Sequence, residues 1–152
     1  MKRAALGLTA IILAACAPGA PKGVDKAVLD QAVADAIGDP GTCVLIRDGD
    51  KTVYRYGTNV ICGRSLPSCE TAAVQTLDAL LKTAPTTGEP RTASCRSNPE
   101  RTRVVAWASG PISGTSLAYA AVMEGDEIPP GVVIADKLNG AFAKAGVSKP
   151  SS

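Results

Sequence analysis

The sequence contains no histidine among its 152 residues. Histidine is the commonest general base and the central member of Ser-His-Asp and Cys-His arrangements, so both arrangements are excluded. A zinc site is disfavoured as well, because the chain also lacks a Cys-x-x-Cys pair. Neither Gly-x-Gly-x-x-Gly nor Gly-Lys-Ser/Thr occurs, so no phosphate-binding loop is predicted. We therefore expect no metal and no cofactor.

The N-terminus has the three parts of an export signal. Lys2 and Arg3 are followed by an apolar stretch over 4–13, which is too short to cross a bilayer. The next residues, LAAC ending at Cys16, resemble the lipobox of bacterial lipoproteins. The resemblance implies that residues 1–15 are removed and that Cys16 carries the lipid, and Ala17 in place of Asp favours the outer membrane. An ordinary signal peptide with an incidental cysteine is the alternative.

Removal of that signal leaves a chain without net charge. Lys2 and Arg3 account for two of the 16 basic residues, so 14 basic residues face 14 acidic ones. The chain also has only one Trp, one Phe and three Tyr on which bases could stack. With neither a basic field nor stacking platforms, nucleic acid is excluded as an expected partner.

Length and composition predict a single domain. We expect a lipidated Cys16 and tether over 16–23, one domain over 24–147 and a disordered tail over 148–152. Four cysteines remain once Cys16 is assigned to lipid. These are Cys43, Cys62, Cys69 and Cys95. An even number of cysteines in an exported protein predicts disulfides, here two, and four cysteines can pair in three ways.

Hydrophobic periodicity predicts an α+β fold with the element order α-β-β-α-β-β-β-α. The N- and C-terminal helices are expected to pack on an antiparallel sheet. Helices are predicted over 24–37, 70–82 and about 131–145, and strands over 42–47, 52–56, 91–95, 103–108 and 117–123. Arg91–Cys95 is expected at an edge, where Arg96, Arg101 and Arg103 are interpreted as edge protection, with a small-anion site as the alternative.

With these elements in order, the chain resembles the serine β-lactamases and penicillin-binding proteins, above all class A β-lactamases. VLIRDGDKTVYRYG over 44–57 is similar to the family's first two strands, and RSLPSCETAA over 64–73 to the entry of its nucleophile helix. RTASC over 91–95 is similar to the Lys-Thr-Gly strand. The resemblance implies a Cys69–Cys95 disulfide, which leaves Cys43 to pair with Cys62.

The departures from this family remove its chemistry. Matching the motif places Glu70 at the nucleophilic serine and Ala73 at the catalytic lysine, and six residues over 85–90 stand where the family inserts its all-helical domain. The resemblance therefore implies no catalytic residues. It leaves a candidate remnant cleft around Glu70, Thr71, Arg91 and Thr92.

Three functions remain open from the sequence. The first is a non-catalytic envelope lipoprotein that binds a cell-wall peptide or another envelope protein. The second is a reduced serine hydrolase that uses Ser65 or Ser68 with Lys82 or Lys137, although no serine has a lysine three residues on. The third is an unrelated α+β scaffold lipoprotein.

Overall fold

A computed structural model describes residues 18–150. The expected signal segment, Cys16 and the last two residues of the expected tail lie outside this range. The helices are α1 Lys26–Ile37, α2 Asn59–Cys62, α3 Leu77–Lys82 and α4 Gly131–Lys144. The strands are β1 Thr42–Asp48, β2 Lys51–Tyr56, β3 Leu66–Pro67, β4 Val74–Gln75, β5 Arg91–Arg96, β6 Val104–Pro111 and β7 Ala118–Gly125.

Five strands form one antiparallel sheet in the order β2-β1-β7-β6-β5. The central strands β1, β6 and β7 are buried almost throughout because both faces of the sheet are covered. The α+β class and the predicted order of the main elements are confirmed. Arg91–Arg96 is an edge strand, as predicted.

The two faces of the sheet carry separate apolar cores. On one face, which we call the α1/α4 face, Val33, Ile134 and Phe142 pack against Ile46 and Tyr119. On the other, the α3 face, Leu77 and Leu81 pack against Leu45, Val105 and Trp107. Successive strand residues point to opposite faces, so each central strand supplies side chains to both cores.

The helix predicted over 70–82 was too long. Helix α3 begins only at Leu77, where the Thr76 side chain accepts a hydrogen bond from the Ala79 N–H. The residues before it turn back on themselves, because Val74–Gln75 pairs with Leu66–Pro67. Cys69, the residue directly before the predicted start, has φ 69°, a left-handed conformation that belongs to the turn between β3 and β4. The apolar residues that predicted one long helix are therefore divided between two elements: Val74 lies in β4, whereas Leu77 and Leu81 lie in α3.

Two disulfides hold the α3 face together. Cys43 bonds to Cys62 and Cys69 bonds to Cys95. The first joins β1 to α2, and the second joins the loop between β3 and β4 to the edge strand β5. The prediction of two disulfides is confirmed, and their pairing is the one that the β-lactamase resemblance implies.

The segment before α1 lies against the domain. Pro21 is buried, and its carbonyl accepts a hydrogen bond from the Val24 N–H at 3.0 Å. Pro18 contributes to a depression on the α3 face together with Thr52 and Arg55 of β2. Lys26 lies on the other face, with its ammonium 5.7 Å from the centre of the Tyr54 ring. Residues 18–25 therefore pass round the β2 side of the sheet, from the α3 face to the α1/α4 face.

Candidate binding site at the β5 edge

A small polar pocket lies on the α3 face where β5, the 66–75 hairpin and α3 meet. It encloses about 90 Å³. Glu70, Arg91 and Thr92 line it, so the structure brings together three of the four residues of the candidate cleft. Its other lining residues are Ser68, Gln75, Leu80, Thr83, Ala93, Trp107 and Ser109.

Thr71, the fourth candidate, is an exposed residue of the same loop and does not line the pocket. Its N–H donates to the Ser68 hydroxyl at 3.2 Å, and the two hydroxyls are also 3.2 Å apart. The Ser68 N–H in turn donates to the Ala73 carbonyl. Thr71 thus closes the loop that carries Glu70, and its own side chain is not part of the lining.

Ser109 supplies a buried hydroxyl that has no partner. Its side chain is fully buried, and its Oγ makes no hydrogen bond within residues 18–150. An unpaired buried hydroxyl costs free energy, and this one belongs to a residue of the pocket wall. Sequence reasoning missed this residue. One feature of the sequence could have indicated it: Ser109 is the only hydroxyl residue of the apolar strand β6, and the alternation of the strand puts it on the same side as Val105 and Trp107.

Ser68 is not placed beside either lysine of the hydrolase alternative, and Ser65 is an exposed residue of the loop after α2. The Ser68 hydroxyl contacts Thr71, while the Lys82 ammonium pairs with Asp78 at 2.8 Å. This ion pair raises the pKa of Lys82, through the hydrogen bond to Asp78 first and its charge second. Lys137 is an exposed residue of α4, on the other side of the sheet from Ser68.

The main chain of β5 offers unused hydrogen-bonding groups at the edge of the sheet. The Ser97 N–H donates to the Arg103 carbonyl at 3.0 Å, and the same register places Arg96 opposite Val104. Bonded and non-bonded pairs alternate in an antiparallel ladder. The N–H and C=O groups that point away from β6 therefore belong to the following residues: Thr92, Ser94 and Arg96.

A buried ion pair lies away from this edge. Glu124 is only 3% exposed, and Arg103 donates to both of its oxygens at 2.6 Å. Arg64 and Ser97 donate to it as well. These hydrogen bonds, led by those from Arg103, lower the pKa of Glu124 to about 2 against the opposing effect of burial. The same contact raises the pKa of Arg103.

This ion pair lines a larger depression, of about 440 Å³. Its central charges already satisfy one another, so a ligand would have to compete with strong existing bonds. Arg103 is therefore paired with acidic residues and does not contribute free positive charge to the predicted basic cluster. Arg96 and Arg101 remain together in an open depression beside β5.

Within residues 18–150, no three His, Cys, Asp or Glu side chains come together as a metal site would require. Across the same residues, none of the helices combines the length and apolar character needed to cross a membrane.

Comparison with models of protein families, with curated proteins and with solved structures found no match.

Proposed function

We propose that this chain is a lipid-anchored bacterial envelope protein that binds an extended cell-wall peptide along β5. It would have a degenerate β-lactamase-like fold, a lipidated Cys16 and a place on the periplasmic side of the outer membrane. Two disulfides are compatible with an extracytoplasmic location. The observation that carries the binding role is the edge strand with its outward main-chain groups beside a polar pocket.

The geometry suits the addition of a strand to the sheet. A peptide paired with β5 would exchange hydrogen bonds with Thr92, Ser94 and Arg96, and these bonds would supply affinity. Every second side chain of the peptide would fall on the α3 face, at the mouth of the pocket. The pocket is small and contains hydroxyl groups, so it favours a short side chain such as alanine or serine. Short side chains of this kind occur in cell-wall stem peptides.

Acyl transfer is not part of this proposal. A covalent mechanism needs a hydroxyl activated by an adjacent base. Ser68, which is buried in the loop beside Glu70, has the Thr71 hydroxyl and carbonyl as its contacts, and neither is a base.

The test is a titration with the tetrapeptide stem released from purified peptidoglycan. Trp107 lines the pocket and is the only tryptophan of the chain, so its fluorescence reports occupancy. Amide hydrogen exchange should slow at Thr92, Ser94 and Arg96. Thr92→Pro removes an outward N–H without touching the ladder, and should weaken binding at least tenfold.

Thr92→Val is the matched control, since it keeps the N–H and the branched shape and removes only the hydroxyl, so it should weaken binding far less than Thr92→Pro does. Binding by the proline variant at parental affinity would contradict the proposal. So would protection that maps to a surface other than β5. Circular dichroism and the unfolding midpoint of each variant verify that the domain remains folded.

A further inference from the structure

The described chain starts close to the expected lipid attachment site. Pro18 is two residues from Cys16, and two residues span at most about 7 Å. The structure holds Pro18 in a depression of about 270 Å³ whose other walls come from β2, α2 and the first turn of α3. Three residues later Pro21 is buried, so this part of the expected tether is not a free spacer.

A lipid at Cys16 would therefore fix which side of the domain meets the membrane. A long flexible tether would let the domain rotate, but here only Ala17 separates Cys16 from a residue that packs on the domain. The nearest surface consists of β2 and α2. Val60 of α2 is 75% exposed, the highest exposure among the large apolar residues of the described chain. Arg55 of β2 adjoins α2 through a hydrogen bond from its guanidinium to the Asn59 side chain.

We propose that the β2–α2 surface, residues 51–63, rests on the phospholipid headgroups around the anchor. Val60 then reaches the interface, and the partly exposed Arg55 guanidinium near it meets lipid phosphates. This inference rests on the proposed lipidation of Cys16. It also orients the peptide site: β5 lies four strands from β2, roughly 19 Å away at ordinary strand spacing, and so faces the periplasm.

Exposed valines at three places allow a matched experiment. Val60→Trp reports on the β2–α2 surface. Val74→Trp and Val132→Trp serve as controls, because both valines are 64% exposed and both lie near the β5 side of the sheet, one on each face. Each variant of the full-length chain is produced in bacteria, purified with its lipid and placed in vesicles of phosphatidylethanolamine and phosphatidylglycerol. Some of the vesicle lipids carry bromine near the headgroup.

Bromine quenches tryptophan only at short range, so quenching identifies the surface that touches lipid. The fluorescence of the unsubstituted chain gives the contribution of Trp107, which is subtracted. We expect at least half of the Val60→Trp signal to be quenched, and no quenching above the parent for the two controls.

Equal quenching at all three positions, or stronger quenching at either control, would overturn the proposed orientation. Mass spectrometry of the same samples tests the anchor separately. If Cys16 carries no lipid, the proposed anchoring and this orientation both fail. If Cys16 is lipidated and Val60→Trp stays unquenched, only the orientation fails.

Discussion

Glu124 shows how a single residue ties distant parts of this small domain together. It lies on β7, and its partners come from two other parts of the chain: Arg64 follows α2, while Ser97 and Arg103 face each other across the turn between β5 and β6. The carboxylate is buried, whereas the side chains of Arg64 and Arg103 are both 40% exposed. Partial exposure of the guanidinium groups screens the attraction, so the contribution to stability is smaller than for a fully buried pair.

Glu124 should make the domain sensitive to acid. Its pKa falls from 4.5 to about 2 on folding, so the folded state favours the ionised form. The stabilisation is complete above about pH 4.5 and is lost as the pH falls through about 2. We expect Glu124→Gln to lower the free energy of unfolding by about 2 kcal/mol at pH 7. Below pH 3 the difference in unfolding free energy between the variant and the parent should become smaller. Urea unfolding between pH 2 and pH 7 measures the free energy of unfolding of both proteins. A difference between the two proteins that stays the same at every pH would contradict the prediction.

Two buried hydroxyls without partners offer a comparison between a pocket and a core. Ser109 lines the polar pocket, whereas Tyr119 lies in the core, edge-on to Phe142 at 5.3 Å between ring centres. Burial raises the pKa of Tyr119 to about 12. Neither hydroxyl stabilises the unliganded fold through hydrogen bonding, because neither has a partner within residues 18–150.

We expect Ser109→Ala and Tyr119→Phe to leave the free energy of unfolding unchanged or to raise it by about 1 kcal/mol. Only Ser109→Ala should weaken binding of the stem peptide, by about fivefold, as expected for one lost hydrogen bond. Thermal unfolding and the Trp107 titration give the two readouts. A marked loss of stability in Ser109→Ala would show that the hydroxyl has a structural role instead.

At the scale of elements, the two disulfides close loops of similar length but serve different parts of the α3 face. The sequence separations are 19 residues for Cys43–Cys62 and 26 for Cys69–Cys95. Loop entropy alone predicts a similar stabilisation from each, about 3 kcal/mol. Their consequences for the pocket should differ, because only Cys69–Cys95 connects the 66–75 hairpin to β5.

Replacing both cysteines of either pair by alanine should therefore lower the free energy of unfolding by about 3 kcal/mol. Loss of Cys69–Cys95 should in addition weaken peptide binding, since the hairpin forms one wall of the pocket. The Cys43→Ala/Cys62→Ala variant is the control for a general loss of stability. Equal peptide affinities in the two folded variants would contradict a role for the hairpin.

The sequence predicted the main elements well because most of them carry strong periodic patterns. Helix α1 begins after Asp25, whose side chain accepts from the Ala27 and Val28 N–H groups, and such capping is visible in the sequence. The 66–75 hairpin was missed because each of its strands has only two residues and its shape depends on a distant partner, Cys95. Ser109 was missed for a related reason: its lack of a partner is a property of packing, which a local pattern does not encode.

At the scale of the whole molecule, the Ser68 hydroxyl lies apart from the ammonium groups of Lys82 and Lys137. Ser68 contacts Thr71, Lys82 pairs with Asp78, and α4 with Lys137 lies on the other side of the sheet. We expect no covalent labelling by a fluorescent penicillin at high protein concentration, measured by gel fluorescence beside an active β-lactamase. A labelled band that disappears in Ser68→Ala or Ser65→Ala would establish the hydrolase alternative.

The passage of residues 18–25 round the β2 side has a consequence for self-association. A sheet with two open edges can add neighbours at both ends and grow into a fibre. In the part of the protein that the structure describes, β5 is one edge of the sheet and β2 is the other, with residues 18–25 passing beside β2. Two copies paired through β5 would satisfy each other's outward main-chain groups, so a third copy could join only at the β2 edge, where residues 18–25 stand in its way.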